Sequence, residues 1–319
     1  MTAVLVVRGT APQAEWLEAR RKGITASEIS VVMGLSPWDS PYALYHRKTG
    51  DLPAQDDTLA MALGRHLESF VAEQFGQRHP FGQAGDGRQL FAHPGRPWQL
   101  ATPDRLLTDP GRLPRPPYPD TAIAVLECKT SSGYDGWGED GSDVIPVHYR
   151  CQVLWQMDVL GVPAGFVACL FLHSRQLRVY ELTMDDQARA DLDLMEREAR
   201  RFLMRIDEKN PPEIDWRPAT SDALKRLHPS AGDRDVIIGG QLAQRYRAAC
   251  ARVKAAEQKK RLYENRVRGL LGTGRRAVLS DGEPVARRDV YDLPEKIITR
   301  KACTVDRMVA VTPREKSTP

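Results

Sequence analysis

Residues 122–126, Ala-Ile-Ala-Val-Leu, run without a polar break into Glu127-Cys128-Lys129 and then Thr-Ser-Ser-Gly. An apolar run of this kind reads as an otherwise buried strand, and charged groups that close it ahead of a loop stand where α/β folds place their sites. Side chains alternate along a strand, so Glu127 and Lys129 share one face and Cys128 takes the other. Pro103-Asp104 closes the preceding extended segment, and Asp104 meets that pair if the two strands are neighbours. Two carboxylates and a backbone carbonyl form an oxygen-only pocket suited to Mg²⁺ or Mn²⁺, beside which a lysine can orient or deprotonate an attacking water. The competing reading is a solvated strand end, because Glu-x-Lys arises by chance in charged chains.

The pattern around this strand sets the fold class. Residues 14–33 read as two helical pieces, with Thr25 as N-cap and Glu28 completing a capping box. Ser40 and Pro41 open a short helix that ends at Gly50, and residues 58–76 form the next. Segments 88–94, 98–107 and 121–130 read as three strands, with the proline-rich stretch 108–120 as a surface loop between the last two. A helix over 144–161 and strands at 164–173 and 175–184 follow. The order of helix, three strands, helix and two strands indicates an α/β sandwich around one mixed sheet. A charged amphipathic helix over 184–208 leads to a linker-like stretch. Beyond it, residues 236–271 read as one long basic helix and 274–291 as a hairpin turned at Asp281-Gly282. The expected organisation is a domain over 1–215, a linker over 216–235 and a basic extension over 236–319.

Charge divides along the same line. The 319 residues carry net +4, but residues 240–319 hold 19 Lys and Arg against 9 Asp and Glu, which leaves residues 1–239 at net −6. A basic end on an acidic body suggests a polyanion-binding extension, with Arg245, Lys254, Lys259, Lys260, Arg261, Arg268, Arg275 and Arg276 as candidate phosphate contacts. A solvated helical or partner-docking extension gives the same count. Five cysteines without a C-x-x-C pair argue against a disulfide framework, a zinc ribbon or an iron–sulfur cluster. With no apolar run of membrane length and no secretory pattern at the N-terminus, a cytoplasmic setting is expected.

Two helices offer further candidates. Positions 64, 68, 71 and 75 share a helix face, which sets Glu68 among Gly64, Val71 and Phe75, where a carboxylate needs a cation such as a metal or an arginine. Tyr149, Gln152 and Gln156 share a face at i, i+3 and i+7, turned either to a site or to water.

Six ordered segments together carry a family resemblance: W-x3-R-x2-GITASE at 16–28, GLSPWDSPYALYHRKTG at 34–50, LGRHLE at 63–68, ATPD at 101–104, LECKT at 126–130 and HYRCQVLWQM at 148–157. From about Trp16 to Leu172 the chain resembles the YqaJ family of viral recombinases, relatives of phage lambda exonuclease in the PD-(D/E)XK nuclease superfamily. The resemblance implies a restriction-endonuclease-like core. It also implies that Glu68, Asp104, Glu127 and the Cys128 carbonyl bind metal, with Mg²⁺ as cofactor and Mn²⁺ substituting. Lys129 would position the water, with Gln152 and Tyr149 lining the site. Arg20, Ser27 and Thr102 would hold a DNA 5′-phosphate, for which a guanidinium offers bidentate contacts.

The activity implied is 5′→3′ digestion of linear duplex DNA, leaving 3′ single strands for an annealing partner protein in phage-type recombination in a bacterial host cytoplasm. A toroidal homotrimer belongs to the same resemblance. The rival readings are a site-specific or structure-specific endonuclease on the same core, and a non-catalytic DNA-binding module.

Overall fold

The computed structural model describes residues 3–55, 57–85, 87–111 and 118–292. The chain divides into two compact units at Pro229/Ser230.

The first unit begins with strand β1 (Val4–Val7), helix α1 (Gln13–Arg21), the short strand β2 (Ile24–Thr25), α2 (Ala26–Val32), α3 (Pro41–Thr49) and α4 (Leu59–Arg78). It continues through β3 (Gly82–Ala84), β4 (Leu90–His93), β5 (Arg96–Ala101), β6 (Arg105–Thr108), β7 (Ala124–Ser131), α5 (Val147–Leu160), β8 (Ala164–Phe171), β9 (Gln176–Thr183), α6 (Asp186–Asp207) and α7 (Pro218–Leu227). The capping signals act as the sequence suggests. Thr25 and Glu28 form a capping box at α2, the Ser40 hydroxyl accepts the Ala43 N–H, and Gly50 ends α3 at φ 87°.

The central sheet has the order β3-β6-β7-β8-β9, and within it only β7 and β8 run parallel. A parallel pair needs a crossover, which α5 supplies. Alternation along β7 then separates two cores. Val125 faces the cluster that includes Val153, Trp155 and Met157 of α5, while Ala124 and Leu126 face Val71, Ala72 and Phe75 of α4. The result is an α/β fold with a central mixed sheet flanked by helices. α5 sits close on its sheet because Gly165 lies beneath it; a Cβ there would stand 2.5 Å from Val153 Cγ1.

The structure departs from the sequence reading in three places. Segment 98–107 is two strands rather than one. Pro103, with no N–H to give and a fixed φ, interrupts it, so that β5 and β6 fall in different sheets. The expected single sheet is therefore joined by a second, of order β1-β4-β5-β2, in which neither β1 nor β2 is expected from the sequence. The stretch 216–235, expected as a linker, holds α7, whose Ala219, Ala223, Leu224 and Leu227 pack with Tyr42, Ala43 and Leu52. Residues 112–117 of the proline-rich loop lie outside the described residues.

The second unit comprises α8 (Gly240–Leu271) and the hairpin β10 (Arg276–Val278) with β11 (Pro284–Arg287). Gly282 turns the hairpin at φ 90°, as the Asp-Gly pair suggests. Among the described residues no helix is long and apolar enough to cross a membrane.

Candidate active site

Antiparallel pairing of β6 with β7 sets Arg105 opposite Leu126, so Asp104, one residue earlier, falls opposite Glu127. The Asp104 carboxylate accepts the backbone N–H of Cys128 at 2.7 Å. Because the N–H and C=O of a strand residue point to the same edge, the Cys128 carbonyl is directed to the Asp104 side as well.

Glu127 is 3% exposed and fully engaged. One carboxylate oxygen accepts Lys129 Nζ at 2.5 Å together with Gln152 Nε2, and the other accepts Gln156 Nε2 at 2.8 Å. Burial drives the Asp104 carboxyl well above the ordinary range, and the Glu127 charge pushes it further. Burial alone would lower the Lys129 ammonium, but Glu127 and Asp104 outweigh it and hold the amine protonated well past its ordinary range.

Glu68 approaches from α4, where the Arg105 guanidinium meets it at 2.9 Å. Burial raises its carboxyl, with Glu127 adding to the rise against the pull of Arg105. Its carboxylate lies over Gly87, where a Cβ would come within 2.9 Å of it.

One cleft is lined by Trp16, Arg20, Thr25, Ser27, Gly87, Thr102, Asp104, Glu127 and Gln152. Six residues singled out from the sequence thus meet in a single concavity. Arg20 stacks over the Trp16 ring at 4.4 Å and donates to Ser27 Oγ at 3.0 Å and Thr25 Oγ1 at 3.2 Å. The Thr102 hydroxyl is buried with no protein partner. Tyr149 is not on the cleft wall. Its ring lies under Lys129 at 5.0 Å and packs on Trp137 and His148, so it contacts the amine rather than the opening.

Three contributors escaped selection from the sequence. Gln156 was placed on the Gln152 face but not singled out, although its spacing is the signal that would have found it. Arg105 adjoins Asp104 and holds Glu68. Lys48 is buried and donates to the carbonyls of Arg20 at 2.8 Å and Gly23 at 2.6 Å and to Glu28 at 2.7 Å. In a His-Arg-Lys-Thr run at a helix end it reads as solvated.

The donor set suits a hard divalent cation. Three carboxylates (Glu68, Asp104, Glu127) stand against two cations (Arg105, Lys129) in a partly desolvated place, and all the candidate donors are oxygens. As they stand, no three His, Cys, Asp or Glu side chains among the described residues form a finished cage. Glu127 is turned onto Lys129 and the two glutamines, and Glu68 onto Arg105.

The match to known families falls on this same stretch: residues 15–163 fit the YqaJ-like viral recombinase domain. That stretch carries every residue of the cleft, together with α5 and the whole of β7. The Bacillus subtilis (strain 168) protein "Uncharacterized protein YqaJ" is 34% identical over 148 residues. The match covers 46% of this chain and 42% of that protein, so the chain spans less than half the length of this relative.

Among solved structures, the alkaline exonuclease LHK-Exo from Laribacter hongkongensis aligns with TM-score 0.46 and 21% identity over 62% of this chain and 94% of its own. A phage related exonuclease from Haemophilus somnus 129PT aligns with TM-score 0.40 and 8% identity over 59% and 96%. Beyond the matched segment, β8, β9 and α6 complete the sheet and cover it.

Proposed function

We propose that the protein is a divalent-metal-dependent deoxyribonuclease that digests linear duplex DNA from its 5′ ends. The observation that carries this reading is the meeting of Asp104 and Glu127 with Arg20, Ser27 and Thr102 in one cleft, with Lys129 hydrogen-bonded to Glu127 behind it. The match to a viral recombinase domain and the exonucleases among the similar structures support it.

Asp104, Glu127 and the Cys128 carbonyl would hold Mg²⁺, with Glu68 contributing if Arg105 releases it. The ion supplies Lewis-acid stabilisation of the phosphodiester oxygens. Lys129, which donates to Glu127 at 2.5 Å, would orient the attacking water. Gln152 and Gln156 fix the Glu127 carboxylate, and Tyr149 supports the Lys129 amine from below. Arg20, with Ser27 and the unpartnered Thr102 hydroxyl, would grip the terminal 5′-phosphate and set the polarity.

The product would be a 3′ single-stranded tail, the substrate an annealing partner protein requires in phage-type recombination. Linear duplexes with 5′-phosphate or 5′-hydroxyl ends, and a closed circle, incubated with Mg²⁺ test the reading. Loss of 5′-phosphorylated linear DNA with the circle intact is expected. Cutting of the circle would overturn it in favour of an endonuclease, and inertness on all substrates in favour of a binding module.

A further inference from the structure

Helix α8 has 32 residues and none of them is buried. At 1.5 Å per residue it is about 48 Å long, too long and too exposed to be held by its own hairpin. A row of mainly apolar residues nevertheless runs along it in regular register. Positions 242, 246, 249, 253, 256, 260, 263, 267 and 270, alternately four and three apart, are Leu, Tyr, Ala, Val, Ala, Lys, Tyr, Val and Leu. The larger ones stand open to solvent: Leu242, Val253, Tyr263 and Leu270 are 61%, 59%, 51% and 90% exposed. Four heptads of a 3.5-residue repeat are the pattern of a coiled-coil seam.

The charges beside the seam identify what covers it. With Tyr246, Val253, Lys260 and Val267 at the first core position of each heptad, the column just before it is Arg245, Arg252, Lys259 and Arg266, all basic. The column on the other flank contains Glu257 and Glu264 and no basic residue. In a parallel pair of identical helices the first column of one faces the second column of its partner, so Arg252 meets Glu257 and Lys259 meets Glu264 across the seam, twice over. An antiparallel pair would set basic against basic and acid against acid. Lys260, the one charge in the core row, is tied to Glu264 of its own helix at 3.5 Å, and a single lysine there favours two strands over three.

We propose that α8 is a dimerisation helix that forms a parallel two-stranded coiled coil with a second copy of this chain. A second basic row, Arg247, Lys254, Arg261 and Arg268 at seven-residue intervals, lies outside the seam and stays available for polyanions. The pairing is independent of the nuclease reading above.

Sedimentation equilibrium of the full chain tests it with two charge-altered versions. Glu257→Lys with Glu264→Lys, and separately Arg252→Glu with Lys259→Glu, each set like charges across the seam, and each should raise the dimer Kd at least tenfold. An equimolar mixture should restore dimers, because the two altered flanks attract one another. Ala249→Cys in a Cys250→Ser background should form a 249–249 disulfide under mild oxidation, which an antiparallel pair cannot do. A monomeric parent chain, unchanged association in both versions, a mixture that stays apart, or no 249–249 disulfide would overturn the proposal. Circular dichroism of the equimolar mixture should match that of the parent chain.

Discussion

The Asp104 carboxylate accepts the Cys128 N–H at 2.7 Å, which ties the point where the chain leaves one sheet to the charged end of the central strand. That bond holds a carboxylate that its surroundings disfavour, since burial and the Glu127 charge both resist ionisation. Replacement by asparagine keeps an acceptor for the N–H and removes the charge. Asp104→Asn should therefore leave the metal-free protein as stable as the parent, or more so by about 1 kcal/mol. It should lower nuclease activity about 10³-fold or more, since a lost metal ligand forfeits several kcal/mol of transition-state stabilisation. Thermal melts in EDTA and single-turnover digestion check the two halves. A large loss of stability would mean that Asp104 is chiefly structural.

Gln156 donates to Glu127 at 2.8 Å from a fully buried position, with its own carbonyl oxygen unpartnered. Its role is to aim the carboxylate. Gln156→Leu should weaken Mn²⁺ binding, read by titration, about 10- to 100-fold, as loss of such supporting contacts does. Activity should fall in step, with recovery at high metal. A rate defect that saturating metal leaves untouched would count against this.

Arg20 reaches two hydroxyls with one guanidinium nitrogen while its plane rests on Trp16. A lysine cannot reproduce a planar fork that stacks and donates at once. Arg20→Lys should therefore reduce the preference for 5′-phosphate over 5′-hydroxyl ends about tenfold. An unaltered ratio would remove Arg20 from end recognition.

How much of this site was legible follows from the kind of signal each part leaves. Glu127 and Lys129 were readable because alternation is a local rule, and the Thr25–Glu28 capping box because its spacing is fixed. The break at Pro103 was not, since β5 and β6 are each too short to show a period of their own and only pairing with different partners separates them. Helix α7 lay hidden in a proline-flanked polar stretch whose few apolar residues matter only once α3 is beside them. The Lys48 network left no trace at all, because a lysine at a helix end is usually solvated and its burial is decided by loops distant in sequence.

That network yields a pH dependence. Lys48 ties α3 to the Arg20 and Gly23 carbonyls, and Glu28 both neutralises it and accepts the Thr25 N–H at 2.9 Å. Burial alone would raise the Glu28 carboxyl, but Lys48 and then Arg20 outweigh it and hold it below the usual carboxylate range. A carboxyl depressed by folding binds its proton more readily in the unfolded chain. Its contribution is therefore complete above the unfolded value, near 4.5, and is lost as pH falls through the lower folded value. Glu28→Gln removes that dependence and leaves Lys48 buried with only carbonyls for partners, at a cost of about 3–5 kcal/mol. Gly23, whose carbonyl Lys48 holds, accepts no side chain, because a Cβ there would lie 2.1 Å from the Trp98 carbonyl oxygen. Denaturant melts of both proteins from pH 7 to pH 3 should show a lower plateau for the variant and a shallower acid limb. Parallel acid limbs would show that Glu28 titrates alike in the folded and unfolded chains, and the pairing would then do nothing to anchor the Arg20 loop.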